Sequence, residues 1–139
     1  MAKLLLMEDE PDMRQLIQCA LRVSGHEVEA VPDGMSGLQR VSESPPDLIL
    51  LDMLMPKLTG IEVLEALKSS ARFASIPVLV VTASTREAEA EKALRAGASG
   101  YLLKPFGLSE LLSWVNALLD EVPAESIRSV TLTDPAAAI

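Results

Sequence analysis

Short apolar runs, Leu4–Met7, Leu48–Leu51, Val78–Val81 and Tyr101–Leu103, recur along the chain, each bounded by charged or turn-forming residues. Runs of this length with no polar alternation read as parallel strands buried on both faces. Glu27-Val28-Glu29-Ala30-Val31 instead alternates charged and apolar positions, the pattern of an edge strand with one wetter face. Between the strands the period lengthens to that of a helix. In Glu10–Ser24, Met13, Leu16, Ile17, Ala20 and Leu21 follow i, i+3, i+4, i+7, i+8 spacing, and Gly25 supplies a stop. A second helix is expected over about Gly34–Ser42, ended by Pro45-Pro46. Thr59-Gly60-Ile61-Glu62 and Ser84-Thr85-Arg86-Glu87 have capping-box spacing and should open helices three and four. A fifth helix, about Leu108–Glu121, carries Leu108, Leu111, Leu112, Val115, Leu118 and Leu119 on one stripe, with Trp114 off it.

Strand and helix thus alternate five times, which predicts an α/β domain: a doubly wound, five-stranded parallel sheet covered on both faces by right-handed crossovers. The expected strand order is 2-1-3-4-5, with the alternating second strand at one edge. The domain is expected over residues 1–121, and residues 122–139, with two prolines and no sustained period, as a tail or severed linker without an output domain.

At 139 residues and 49% apolar, the chain can build one core, and the 3% aromatic share means that aliphatic side chains must fill it. A net charge of −8 argues against a broad nucleic-acid or anionic-membrane footprint. The single cysteine, Cys19, cannot form an internal disulfide, and the start carries only Leu4–Met7 before Glu8, which is no signal peptide. Nor is any apolar run long enough for a membrane span. A cytoplasmic location is expected.

Chemistry concentrates at the ends of the apolar runs. Asp52 closes one and opens into Met53-Leu54-Met55-Pro56-Lys57-Leu58-Thr59-Gly60, where open α/β sheets place ligands. It reads as a phosphate-accepting nucleophile. In the expected strand order, with strands about 4.8 Å apart, Glu8-Asp9, Asp52, Thr82 and Lys104 fall at neighbouring strand ends. Three carboxylates so close raise one another's pKa unless compensated. Lys104 and a divalent cation would compensate them, and oxygen-only ligands point to Mg2+.

These residues resemble a known family. Glu8-Asp9-Glu10, Asp52 with Met55-Pro56 and Gly60, Val81-Thr82-Ala83, Gly97-Ala98 and Tyr101-Leu102-Leu103-Lys104-Pro105-Phe106 are similar, in order and over about residues 2–121, to the receiver domain of bacterial two-component response regulators. The resemblance implies the flavodoxin-like, CheY-like form of the fold. It implies that Asp52 takes a phosphoryl group from a phosphohistidine on a sensor histidine kinase or phosphotransfer protein. Asp9 and Asp52 would bind Mg2+ directly, Glu8 directly or through water, and the Leu54 backbone carbonyl would complete the ligands. Lys104 and Thr82 would hold phosphoryl oxygens, and the Lys104-Pro105 bond would be cis. Thr82 and Tyr101 would act as the switch that remodels the surface of helix four, strand five and helix five for a downstream partner or a phosphorylation-dependent homodimer. Catalysis would be limited to the domain's own phosphorylation and dephosphorylation, in a stand-alone receiver or one cut from a longer regulator.

The remaining residues have plainer readings. Asp9 alone would be a helix cap, His26 a surface turn residue, and Cys19 a partly buried inert thiol. Met53 and Met55 pack. Glu91 and Arg95, at i, i+4, form a solvated ion pair. Trp114 either packs along the helix edge or anchors a partner. Ser99-Gly100 stand where many winged-helix regulators carry two acids, which puts that subfamily's charged dimer contacts in doubt. Leu54 and Ser84 occupy positions that influence water access in the family. Two other classes fit less well. Phosphatases with an aspartate nucleophile carry a second Asp where this chain has Leu54, and a flavodoxin-like nucleotide or flavin binder needs a Gly-rich phosphate loop that is absent after the first run.

Overall fold

The computed structural model describes residues 2–83 and 87–120. Within them run β1 (Lys3–Met7), α1 (Pro11–Val23), β2 (Glu27–Val31), α2 (Gly34–Glu43), β3 (Leu48–Leu51), α3 (Gly60–Lys68), β4 (Val78–Thr82), α4 (Glu87–Arg95), β5 (Gly100–Leu103) and α5 (Leu108–Leu119). The five strands form one parallel sheet in the order β2-β1-β3-β4-β5, as the pattern predicts.

Successive residues of a strand point to opposite faces, so the continuous apolar runs feed two cores at once. Leu5, Met7, Ile49, Leu51, Val78 and Val80 face α2, α3 and α4, where Val41, Val63, Leu64, Leu67 and Ala93 meet them. Leu4, Leu6, Leu48, Leu50, Leu79 and Val81 face α1 and α5, where Ile17, Leu21, Leu111, Trp114, Val115 and Leu118 close the layer. Both faces of β1, β3 and β4 are therefore dry, and β2 keeps Glu27 exposed while burying Val28 and Val31.

Local chemistry sets the helix starts. Pro11 stands at the first position of α1, where its missing N–H costs nothing. Asp33 caps α2 by accepting from the Ser36 amide. Thr59 and Glu62 form the expected reciprocal capping box on α3. The cap of α1 is Glu10 and not Asp9, and its side chain makes no capping bond. The box expected at Ser84, the water-access position of Ser84 and the tail expected over residues 122–139 lie outside the described residues.

Three packing expectations need correction. Trp114 is buried on the sheet side of α5, while Leu108 of the expected stripe is 44% exposed, so the helix is turned from the face that its leucines suggest. The room for the indole comes from Gly100: a Cβ there would stand 2.8 Å from Trp114 Cζ3. Leu16 is half exposed, and Cys19 is exposed where partial burial was expected. Met53 and Met55 pack as expected.

Candidate functional site

Parallel pairing delivers the chemistry to one edge of the sheet. Met7 pairs with Leu51 and Thr82 with Leu103, so the residues following β1, β3 and β5 and the last residue of β4 leave the sheet side by side. Asp52 extends the pairing by donating its amide to the Met7 carbonyl at 3.0 Å, and Lys104 does so by donating to the Thr82 carbonyl at 2.8 Å. Glu8, Asp9, Asp52, Thr82 and Lys104 are thereby brought together. Thr82 is fully buried at its strand end.

The loop after Asp52 folds back over the site. Asp52 Oδ1 accepts from the Leu54 amide at 3.1 Å, which orients the carboxylate. At the far end of the loop, Gly60 donates to the Met53 carbonyl, and a Cβ on Gly60 would lie 2.6 Å from Met53 Cα. Only glycine permits that approach, and it is what sets the start of α3 against the acid.

Lys104 lies between two carboxylates. Its Nζ is 2.6 Å from Glu8 Oε1 and 3.4 Å from Asp52 Oδ2. Glu8 Oε2 accepts in turn from the Glu10 amide at 3.2 Å. Burial pushes the Glu8 carboxyl up to about 7, with Asp52's charge adding to the rise and the bonds from Lys104 and Glu10 opposing it. Burial lowers the Lys104 ammonium, but the hydrogen bond it donates to Glu8 and the charges of Asp52 and Glu8 outweigh it, and the net shift is upward. The Lys104-Pro105 bond is cis.

A cleft of about 450 Å3 opens over this group, lined by Asp9, Glu10, Pro11, Asp52, Leu54, Ala83 and Lys104. Asp52 is therefore reachable although mostly covered. Carboxylate oxygens of Glu8, Asp9 and Asp52 all lie within 4.8 Å of one another. Opposite ligands of an octahedral Mg2+ are about 4.2 Å apart, so a small closure or a bridging water would seat a hard divalent cation. The acidic donor set fits that cation and excludes a soft one.

Tyr101 is half-buried against the core that faces α2, α3 and α4. Leu54 is 56% exposed beside the cleft. The expected Glu91–Arg95 pair forms at 3.7 Å on an exposed face, whereas His26, expected as a surface turn residue, follows the turn at Ser24 and Gly25 and is half-buried, its Nδ1 accepting from the Ala2 amide. Arg14 was not foreseen: from α1 it donates to the backbone carbonyls of Glu8 and Asp9. Its only sequence signal is a basic residue one turn past an acidic cluster.

A five-stranded 2-1-3-4-5 sheet with three acids, a hydroxyl and an ammonium at neighbouring strand ends defines a receiver. Residues 4–116 match the response regulator receiver domain family, and the chain belongs to that family, which serves two-component signalling. It is similar to the DNA-binding dual master transcriptional regulator RpaA of Synechocystis, 35% identical over 135 residues, covering 95% of this chain and 56% of that protein. Response regulator MprA of Mycobacterium avium is 36% identical over 132 residues, 94% of this chain and 57% of its own. The chain thus spans about half the length of these curated relatives. Among solved structures, chemotaxis protein CheY4 of Vibrio cholerae superposes with a TM-score of 0.81 at 32% identity, over 86% of this chain and 99% of its own. The receiver domain of the Francisella response regulator 1452 gives 0.80 at 28% identity, over 86% and 97%.

Proposed function

We propose that the domain accepts a phosphoryl group on Asp52 from a phosphohistidine of a sensor histidine kinase or phosphotransfer protein. One observation carries this reading: the Asp52 carboxylate, oriented by the Leu54 amide, borders an open cleft and shares it with Asp9 and Lys104.

An Asp52 oxygen attacks phosphorus as the phosphorus–nitrogen bond to the partner's imidazole breaks, and the imidazole leaves with the bond's electron pair. Glu8, Asp9, Asp52 and the Leu54 carbonyl would hold Mg2+, which neutralises charge on the phosphoryl oxygens. Lys104 has an ammonium within reach of both Glu8 and Asp52, and it can exchange one carboxylate for a phosphoryl oxygen without leaving the site. The Thr82 hydroxyl serves the same group from β4. Hydrolysis of the aspartyl phosphate by water returns the domain to its starting state, so turnover is confined to its own phosphate.

The output reading follows from the positions of Thr82 and Tyr101 on adjoining strands. A shift of Thr82 toward the phosphate and an inward move of Tyr101 would bias the surface of α4, β5 and α5 toward a downstream protein or output segment. The same surface is the place for a phosphorylation-dependent homodimer, although Ser99-Gly100 supply none of the charge that pairs many winged-helix regulators. No direct nucleic-acid contact is proposed for a chain of net charge −8. Action in the cytoplasm is proposed with the kinase reading. A hydrolase acting on other phosphoesters is disfavoured, because Leu54 stands where such an enzyme carries its acid.

The test is incubation with acetyl phosphate or phosphoramidate and Mg2+, followed by intact-mass measurement of wild type and Asp52→Asn. A single phosphoryl mass gained by the wild type alone is expected. Equal labelling of both proteins would move the acceptor elsewhere.

A further inference from the structure

Two of the three carboxylates that could hold a cation, Glu8 and Asp9, come from the short link between β1 and α1, and they are fixed in different ways. Glu8's carboxylate is tied down by Lys104 Nζ and the Glu10 amide. Asp9's carboxylate receives no hydrogen bond from any described residue, so its aim depends on its backbone. That backbone leaves the sheet at Glu8, whose amide still donates to the Val31 carbonyl, and enters the helix where Arg14 N donates to the Glu10 carbonyl. The carbonyls of Glu8 and Asp9 lie between those anchors, beyond the strand ladder and before the helical one.

Arg14 reaches back from α1 to both of them. Its Nη1 is 3.0 Å from the Glu8 carbonyl and 3.4 Å from the Asp9 carbonyl, and the residue is half-buried. A charged donor bridging successive carbonyls restrains the peptide between them, and a guanidinium does so with a rigid planar group. The same charge stands beside an acidic link that would otherwise repel itself until a cation arrives.

We infer that Arg14 is a positioning residue for the cation site: it holds the Glu8–Asp9 peptide so that the Asp9 carboxylate faces Asp52 across the cleft. The inference rests on the metal reading of the preceding section and adds a residue that touches neither the cation nor the phosphoryl group. Partners that orient ligands are worth roughly 10–100-fold in metal affinity, and a backbone-mediated effect belongs at the low end.

The test is a Mg2+ titration of wild type, Arg14→Gln and Arg14→Lys, followed through amide resonances by NMR, with urea unfolding of each protein in the absence of metal. Arg14→Gln is expected to bind Mg2+ about tenfold more weakly. Arg14→Lys keeps the charge on a shorter donor and is expected to show a loss in the same direction but below about tenfold, which keeps the test available should the Gln variant not fold. A lowered unfolding midpoint with unchanged Mg2+ affinity in either variant overturns the inference, since that is what a purely structural bond would give. If wild type itself shows no Mg2+ response, the metal reading and this inference fall together; unchanged affinity against a responsive wild type removes the Arg14 role alone.

Discussion

The indole of Trp114 occupies the space that a side chain on Gly100 would need: a Cβ there would meet Trp114 Cζ3 at 2.8 Å and Leu79 Cδ1 at 3.0 Å. The pair interlocks α5 with the first residue of β5, the strand that carries Tyr101 and leads to Lys104. Gly100→Ala should therefore overpack the seam and cost about 1–3 kcal/mol. Trp114→Phe in the same chain should recover part of that loss, because a smaller ring vacates the contact. Urea midpoints of the two single variants and the double variant measure this coupling, and strictly additive changes would deny the interlock.

Lys57 holds φ at +70° in the loop that follows Asp52. Left-handed backbone costs a side-chain-bearing residue about 1–2 kcal/mol, whereas glycine accepts it but loses more entropy on folding. Lys57→Gly is expected to raise stability by up to about 1 kcal/mol. A drop in the denaturation midpoint would mean that the attraction between Lys57 and Asp33 outweighs the backbone relief.

Lys68 ends α3 with its ammonium turned inward, donating to the Ala74 carbonyl at 2.9 Å and the Ile76 carbonyl at 2.7 Å. Burial holds that ammonium below its ordinary range. Lys68→Met keeps the stem and removes the donor, so two carbonyls of the connection into β4 lose their partner at a cost of about 1–3 kcal/mol. Hydrogen exchange should quicken first at the amides of the 70–78 segment. Uniform quickening across the domain would instead indicate a global loss.

Glu62 titrates below its ordinary 4.5, chiefly because the Thr59 amide bonds its carboxylate, with the Thr59 hydroxyl adding to the effect. A folded-state pKa below the unfolded one gives stability that is present above the unfolded value and lost as pH falls through the folded value. The difference in denaturation midpoint between wild type and Glu62→Gln should thus be largest near neutrality and vanish in acid. A difference that stayed constant with pH would assign it to something other than the carboxylate charge.

The meeting of the candidate residues at one sheet edge was readable because Glu8, Asp52, Thr82 and Lys104 each directly follow an apolar run, and parallel pairing turns sequence order into neighbourhood. Asp52, Thr82 and Lys104 needed only strand ends that are right to within a residue. The orientation of α5 was not readable, since helical periodicity counts leucines and cannot see a vacancy on the facing strand. Gly100 makes that vacancy, and Leu108 is turned outward as a result. Arg14 and Lys68 were hidden for a related reason. Their partners are backbone carbonyls, which every residue type supplies, so only the folded path of the chain reveals the bond.

Because the chain has one tryptophan, and that ring is buried against β5, the domain carries its own optical gauge. Intrinsic emission excited at the red edge reports on the junction between α5 and the strand leading to Lys104, with no dye attached and no background from a second indole. Any event at the acidic cleft that alters this junction can be followed in real time by light alone.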